Sequence, residues 1–243
     1  MIGLVTGSNR GLGYELIKEG LQRGHTMIAA CRKTDAVSAS DLYRLQEQYG
    51  NKIKILSLDV ISEEQAQRAA KEVNEIYGHI DFLFNNAGVL FEKNYMPGDC
   101  IADLNIANFR ETLDVNIIGS AIVLKYFIHL LYKSTGACIM NITSEAGHLE
   151  TDGYNYLAYG VSKYGANMYT QKIRNYLATE KADKKIRVYM IHPGRMDTIM
   201  GKENAQIHPR ESAKGLFDIL EQKIDIPPMD IPFINYKGEP MPY

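Results

Sequence analysis

Tyr159 and Lys163 stand four positions apart in Tyr159-Gly160-Val161-Ser162-Lys163. On a helix, positions i and i+4 share one face, so this spacing would bring a phenol and an ammonium out side by side. A cation within a few ångströms favours phenolate and is expected to lower the tyrosine from its ordinary pKa of about 10. A tyrosine so tuned can donate a proton to a forming alkoxide, or take one back, near neutral pH. The same spacing is common on solvated helix faces, where it is only a surface pair. What separates the two cases is whether the rest of the chain puts a redox cofactor beside it.

A second stretch bears on that question: Thr6-Gly7-Ser8-Asn9-Arg10-Gly11-Leu12-Gly13. Glycines at these positions permit a tight turn, close backbone approach to a ligand and close helix–strand packing. The helix N-terminus beyond them offers free amides and a positive dipole to a pyrophosphate. The spacing is Gly-x-x-x-Gly-x-Gly rather than the common Gly-x-Gly-x-x-Gly, and a glycine cluster can be merely a turn. Its position at the first strand–helix junction favours dinucleotide binding. The second strand then runs into Cys31-Arg32-Lys33, with no acid before Asp35. An acid there would accept from the ribose of NAD, whereas arginine suits the phosphate of NADP. Arg32, flanked by Arg10, therefore points to NADP(H) rather than NAD(H), the alternative being two solvated loop arginines.

These residues need a frame. Short apolar runs at residues 2–6, 26–31, 53–58, 80–85, 137–143, 186–192 and 233–236 read as strands. Helical patterns separate them at 12–23, 39–49, 63–77, 109–132, 157–180 and 211–221. Strands alternating with helices imply right-handed crossovers and a parallel sheet covered on both faces. The expectation is an α/β fold: a single-domain, Rossmann-type, doubly wound, mainly seven-stranded parallel sheet with helices on both sides. Its ligand should sit beyond the carboxyl ends of the strands. Residues 195–210 form the expected substrate loop, with its lid at 199–208, and residues 223–243 an irregular tail.

Bulk properties fit that frame. The 243 residues are 45% hydrophobic and 23% charged, ordinary for a globular chain. A net charge of -2 gives no general electrostatic reason to bind nucleic acid or an anionic membrane. No apolar run is seen that approaches the roughly 20 residues of a membrane span, and strand-like residues begin at Ile2, so no signal peptide is expected. Cys31, Cys100 and Cys138 are widely spaced and read as free thiols in a reducing cytoplasm. No metal-ligand spacing is present, and no metal is expected.

With these features in place, the sequence resembles the short-chain dehydrogenase/reductase family over essentially its whole length. The resemblance rests on the Thr6–Gly13 loop, Leu58-Asp59-Val60, Asn85-Asn86-Ala87-Gly88, Asn116, Ser144, Tyr159-x-x-x-Lys163 and His192-Pro193-Gly194 with Asp197-Thr198. The ending Phe233-Ile234-Asn235-Tyr236-x-Gly238-Glu239 and the Pro209-Arg210-Glu211-Ser212 helix start are similar to the C-factor/sniffer-like carbonyl reductase branch, whose members usually use NADPH. The resemblance implies a catalytic set of Asn116, Ser144, Tyr159 and Lys163. It implies that Gly7, Ser8, Asn9, Arg10, Gly11, Leu12, Gly13 and Arg32 contact the cofactor's phosphates. Asp59 and Val60 would meet the adenine, and Asn86, Ala87 and Gly88 the adenosine ribose. Pro193, Gly194, Met196 and Thr198 would line the nicotinamide side, where Tyr159 and Lys163 also touch the cofactor. Asn116 would hold a water leading to Lys163, while Asn85 would tie strands together.

The implied activity is reduction of an aldehyde or ketone to an alcohol, or the reverse, on a small-molecule carbonyl or alcohol substrate. The implied alternative is an NADP-binding signalling or regulatory protein of C-factor type. A homodimer is expected through the helices at 109–132 and 157–180, with Phe127, Tyr132, Tyr169 and Tyr176 either extending to a partner or packing against the chain's own sheet. The chain departs from the branch at Arg195, where an aromatic or aliphatic residue is more usual. Arg195 either faces the substrate or extends to solvent. The segment 145–157 is expected to wall the pocket, with His148 either a second acid or a partly exposed loop histidine.

Overall fold

In the computed structural model, seven parallel strands form one sheet in the order β3-β2-β1-β4-β5-β6-β7. The structure describes residues 1–92, 98–150, 155–201 and 205–243. The strands are β1 (Ile2–Thr6), β2 (Thr26–Cys31), β3 (Ile53–Ser57), β4 (Phe82–Asn85), β5 (Cys138–Ile142), β6 (Arg187–His192) and β7 (Phe233–Asn235). The helices are α1 (Gly11–Gln22), α2 (Ser40–Tyr49), α3 (Glu63–Tyr77), α4 (Ile106–Leu113), α5 (Gly119–Leu131), α6 (Leu157–Glu180) and α7 (Pro209–Leu220). The expected doubly wound fold is the observed one. Strand order reverses between β1 and β4, which pair directly, so a crevice opens beyond their carboxyl ends.

Strand alternation explains why both faces are covered. Phe82 and Phe84 pack on Phe217 of α7, with ring centroids 5.8 and 5.6 Å away. They share a core with Leu16, Ile17 and Leu216 on the α1–α7 side. Leu83, between them, faces the opposite core with Val123, Phe127, Leu131 and Ala69.

Two expectations about the long helix change. A continuous helical stretch, Ile106–Leu131, is long and apolar enough by composition to cross a membrane. Its core position explains that composition, because Val115, Val123, Leu124, Phe127, Leu130 and Leu131 are buried. Phe127 is therefore core and unavailable to a partner, whereas Tyr176 is half-exposed. The stretch is also not uniform: Asp114–Ile118 between α4 and α5 forms a π-helical turn. Such turns disturb the side-chain register locally and recur at functional sites. Asn116 lies in this one.

Candidate active site

The glycine loop is held by residues on either side of the strand reversal. Gly7 has φ +64°, and a Cβ there would stand 2.9 Å from the Ala87 Cα. A Cβ on Gly13 would overlap the Gly7 carbonyl oxygen. The loop can therefore approach β4 and α1 only as bare backbone. Thr6 and Asn86 clamp it. The Thr6 hydroxyl accepts from the amides of Asn86 and Ala87, each at 3.0 Å. The Asn86 side chain donates to the carbonyls of Thr6 at 2.8 Å and Gly7 at 3.3 Å. The Asn86 side chain thus shapes the loop.

Other loop residues also turn inward. The fully buried Ser8 hydroxyl donates to Ala30 O at 3.0 Å, and Leu12 is buried in the core. Both can offer a ligand only backbone. Asn9 donates to Ser38 O at 3.1 Å, joining the loop to the turn after β2. At the start of α1, Arg10 supplies no capping side chain, so the first-turn amides remain available to an anion. Thr198 stands across from them, its Cγ2 being 3.5 Å from where a Gly11 Cβ would lie.

After β2, Arg32 is exposed. Asp35, the first acid beyond it, accepts from the amides of Val37 at 3.2 Å and Ser38 at 2.9 Å. Its carboxylate is engaged in a turn. After β3, the Asp59 carboxylate accepts from the Ile61 amide at 3.3 Å, while Val60 is buried beside Gly119.

The catalytic candidates meet at the ends of β4 and β5 and the start of α6. The Ser144 hydroxyl stands near enough to the Tyr159 phenol to favour its phenolate, and it accepts from the Ala146 amide at 3.2 Å. Lys163 Nζ lies 5.5 Å from the Tyr159 ring centroid and donates to Ile142 O at 2.9 Å. Gly88 leaves room for it, since a Cβ there would come 3.7 Å from Nζ and 3.2 Å from Asn116 Oδ1. Electrostatics differ from the expectation. Burial pushes Tyr159 up to about 12, against the lowering effect of the neighbouring Ser144 hydroxyl, and Glu145 adds to the rise. Burial brings Lys163 down to about 8. Desolvation disfavours both charged forms, and here it outweighs the attraction that the i, i+4 spacing promised.

Asn116 is tied to neighbouring elements through its side chain. Its Oδ1 accepts from Val89 N at 2.8 Å, and its Nδ2 donates to Val89 O at 3.0 Å and Ser162 Oγ at 2.9 Å. Both amide hydrogens are committed to protein atoms, so a water would be held through the second lone pair of Oδ1. Ser162 passes the connection on, donating to Tyr159 O at 2.7 Å. Asn85 bears out its structural reading through a bond to Asn141 at 2.8 Å.

Beyond β6, Pro193 is buried. Gly194 has φ +86°, with Ile207 and Tyr236 against it. Met196 forms a bridge with Ile207, and Thr198 Oγ1 accepts from Gly201 N at 3.1 Å. Arg195 is exposed, as its solvent reading expects, and its Nε donates to Glu145 at 2.6 Å. With His192 and Lys237 this pair lines a polar pocket of about 190 Å³. His148 is half-buried, with Nδ1 unbonded. Parts of the expected wall and lid, residues 151–154 and 202–204, lie outside the described residues. Sequence reasoning missed Thr6 as a clamp and Glu92 altogether. The Glu92 carboxylate accepts from the amides of Ala158 at 2.9 Å and Tyr159 at 3.0 Å. No local pattern announces a contact across so many residues.

Comparison with known proteins agrees with this geometry. Residues 2–208 match the short chain dehydrogenase family model, and the chain belongs to that family of oxidoreductases. The carbonyl reductase Sniffer of Drosophila melanogaster superposes with a TM-score of 0.85 at 25% identity, over 99% of this chain and 98% of that one. An NADPH-bound carbonyl reductase from chicken fatty liver gives 0.83 at 25% identity, with the same coverage of 99% and 98%. An uncharacterized oxidoreductase of Schizosaccharomyces pombe is 28% identical over 204 residues, 84% of this chain. The chain spans 63% of that relative's length.

Proposed function

We propose that this protein is an NADP(H)-dependent oxidoreductase that reduces an aldehyde or ketone to the alcohol, or runs the reverse reaction. The observation that carries the reading is the Lys163 ammonium 5.5 Å from the centre of the Tyr159 ring, with the Ser144 hydroxyl beside the phenol. Cofactor fit rests on the bare-backbone cradle of Gly7 and Gly13 and the uncapped start of α1. The phosphate-bearing form is supported by exposed Arg32, which has no ion pair among the described residues. The engagement of Asp35 in its own turn also supports it. The NADPH-bound chicken reductase and Sniffer support both the cofactor and the carbonyl class.

Gly7 to Gly13, Arg32, Asp59, Ala87, Gly88, Gly194 and Thr198 would hold the cofactor, which when bound supplies or accepts the hydride. The protein's own share is position and proton. A phenol at about 12 keeps its proton at pH 7 and can give it to a carbonyl oxygen as negative charge develops there. Ser144 directs its hydroxyl at the same oxygen and favours that charge. Lys163, at about 8, is still largely protonated at pH 7 and stabilises the phenolate left behind.

The test is NADPH oxidation against a panel of aldehydes, ketones and quinones by wild type and Tyr159→Phe. The expected result is turnover by wild type and loss of at least about a hundredfold in the variant. Tight NADPH binding with no turnover by wild type supports the regulatory reading instead. A homodimer is part of the proposal, supported by exposed Ile118, Val161, Met168 and Tyr176 on α5's approach and α6. Light scattering that gives a monomer mass at working concentration would remove it.

A further inference from the structure

Helix α6 begins without the usual means of capping itself. Its N-cap residue, Tyr156, adopts φ 63° and ψ 49° in the left-handed region and makes no side-chain cap. The first turn contains no acidic residue. A non-glycine residue in that region costs on the order of 1–3 kcal/mol, and the orphan first-turn amides need partners. Glu92, in the loop after β4, supplies them from outside the helix. One carboxylate oxygen takes the Ala158 amide at 2.9 Å and the other takes the Tyr159 amide at 3.0 Å. A carboxylate at a helix N-terminus is favoured by the dipole as well as by the two charge-assisted bonds.

The carbonyl side of Tyr159 is held from the same loop. Ser162 donates to Tyr159 O at 2.7 Å, Asn116 donates to Ser162 at 2.9 Å, and Asn116 is bonded in both directions to the Val89 backbone. Both peptide groups of the proposed acid therefore answer to residues between Val89 and Glu92. The carbonyl-side chain of bonds is partly to fully buried, whereas among the described residues Glu92 alone fixes the amide side.

We propose that Glu92 is the positioning residue of Tyr159, setting the first turn of α6 so that the phenol stands against Ser144. It does not touch substrate or take part in proton transfer. This assignment rests on the oxidoreductase reading above. A misplacement of about 1 Å can cost about a hundredfold in rate, which sets the scale of the effect.

The experiment compares wild type, Glu92→Ala, Glu92→Gln and Tyr159→Phe in steady-state carbonyl reduction, with NADPH affinity measured by fluorescence titration. Glu92→Ala is expected to lower kcat by about tenfold to a hundredfold while leaving the NADPH Kd within about twofold. Glu92→Gln, whose single amide oxygen can still accept one of the two bonds, should fall between them. Added formate should restore part of the activity of Glu92→Ala and none of that of Tyr159→Phe. Wild-type kcat in Glu92→Ala beside an inactive Tyr159→Phe overturns the Glu92 assignment alone. So does a parallel loss of kcat and NADPH affinity with no rescue by Gln or formate, which marks general unfolding. Wild-type kcat in Tyr159→Phe overturns the reading beneath it.

Discussion

The Glu145 amide donates to Nδ1 of His192 across 3.1 Å, tying the residue after Ser144 to the last residue of β6. Only an imidazole with an unprotonated Nδ1 can accept that bond. Burial holds His192 below its ordinary pKa against the raising effect of Glu145, with Arg195 adding to the fall. The charged groups around it are Glu145, Arg195 and Lys237. As pH falls through the lowered pKa, Nδ1 gains a proton and the Ser144 segment loses an anchor. Activity should therefore show an acid limb below about pH 6.5, the unperturbed histidine value. His192→Asn, whose side-chain oxygen accepts in place of Nδ1, should keep most activity at pH 7 and lack that limb. A kcat–pH profile checks this, and an unchanged acid limb in the Asn variant would exclude His192 as its source.

Cofactor choice can be tested at Arg32, exposed at the end of β2. Loss of a charge-assisted contact to phosphate costs about 1.5–3 kcal/mol, or roughly tenfold to a hundredfold. Arg32→Ala should raise KM for NADPH by that factor and leave KM for NADH nearly unchanged. Equal effects on the two cofactors would take Arg32 out of the phosphate site.

Asn116 offers a stability test of its bonds to Val89 and Ser162. Truncation to Ala strips partners from the Val89 amide and carbonyl and from Ser162. Leaving buried polar groups unpaired costs about 1–3 kcal/mol each before relaxation, so a net loss of about 2–4 kcal/mol is expected. Denaturant unfolding of Asn116→Ala measures it. A loss below about 0.5 kcal/mol would show that the bonds to Val89 and Ser162 contribute little.

The parts of this molecule that were legible in its sequence are those carried by local pattern. Phe82-Leu83-Phe84 announces a strand buried on both faces, and the Tyr159–Lys163 spacing announces one helix face. The glycine loop is legible because its constraint is steric and local: Gly7 and Gly13 have no room for a Cβ. What tertiary structure decides was hidden. Glu92 reaches Tyr159 across 67 positions, and nothing near either residue marks the pair. Phe127 is apolar whether it serves a core or a partner, and only the fold assigns it to the core. The Tyr159–Lys163 electrostatics went the other way for the same reason, since spacing encodes their proximity but not the burial that dominates both groups.

Arg23 braces the end of α1 against the end of α7. Arg23 donates to Glu19 at 2.8 Å, Asp218 at 2.7 Å and Glu221 at 2.8 Å. Glu221 also meets His25 at 2.9 Å and Lys223 at 2.7 Å. Burial alone would raise the Glu221 carboxyl, but bonds from Lys223, Arg23 and His25 hold it down to about 2, against an ordinary 4.5. A depressed carboxylate contributes stability that is complete above the unfolded pKa and is lost as pH falls toward the folded one. Linkage bounds this at about 3 kcal/mol, and solvent screening around Lys223 brings the expectation to about 1–2 kcal/mol. His25 acts in the same direction, because burial lowers its pKa and acid must charge it. Glu221→Gln should therefore be less stable than wild type at pH 7 and lose less on acidification from pH 5 to pH 3. Unfolding free energies measured across that interval check the sign, and parallel curves for the two proteins would exclude Glu221 as a contributor.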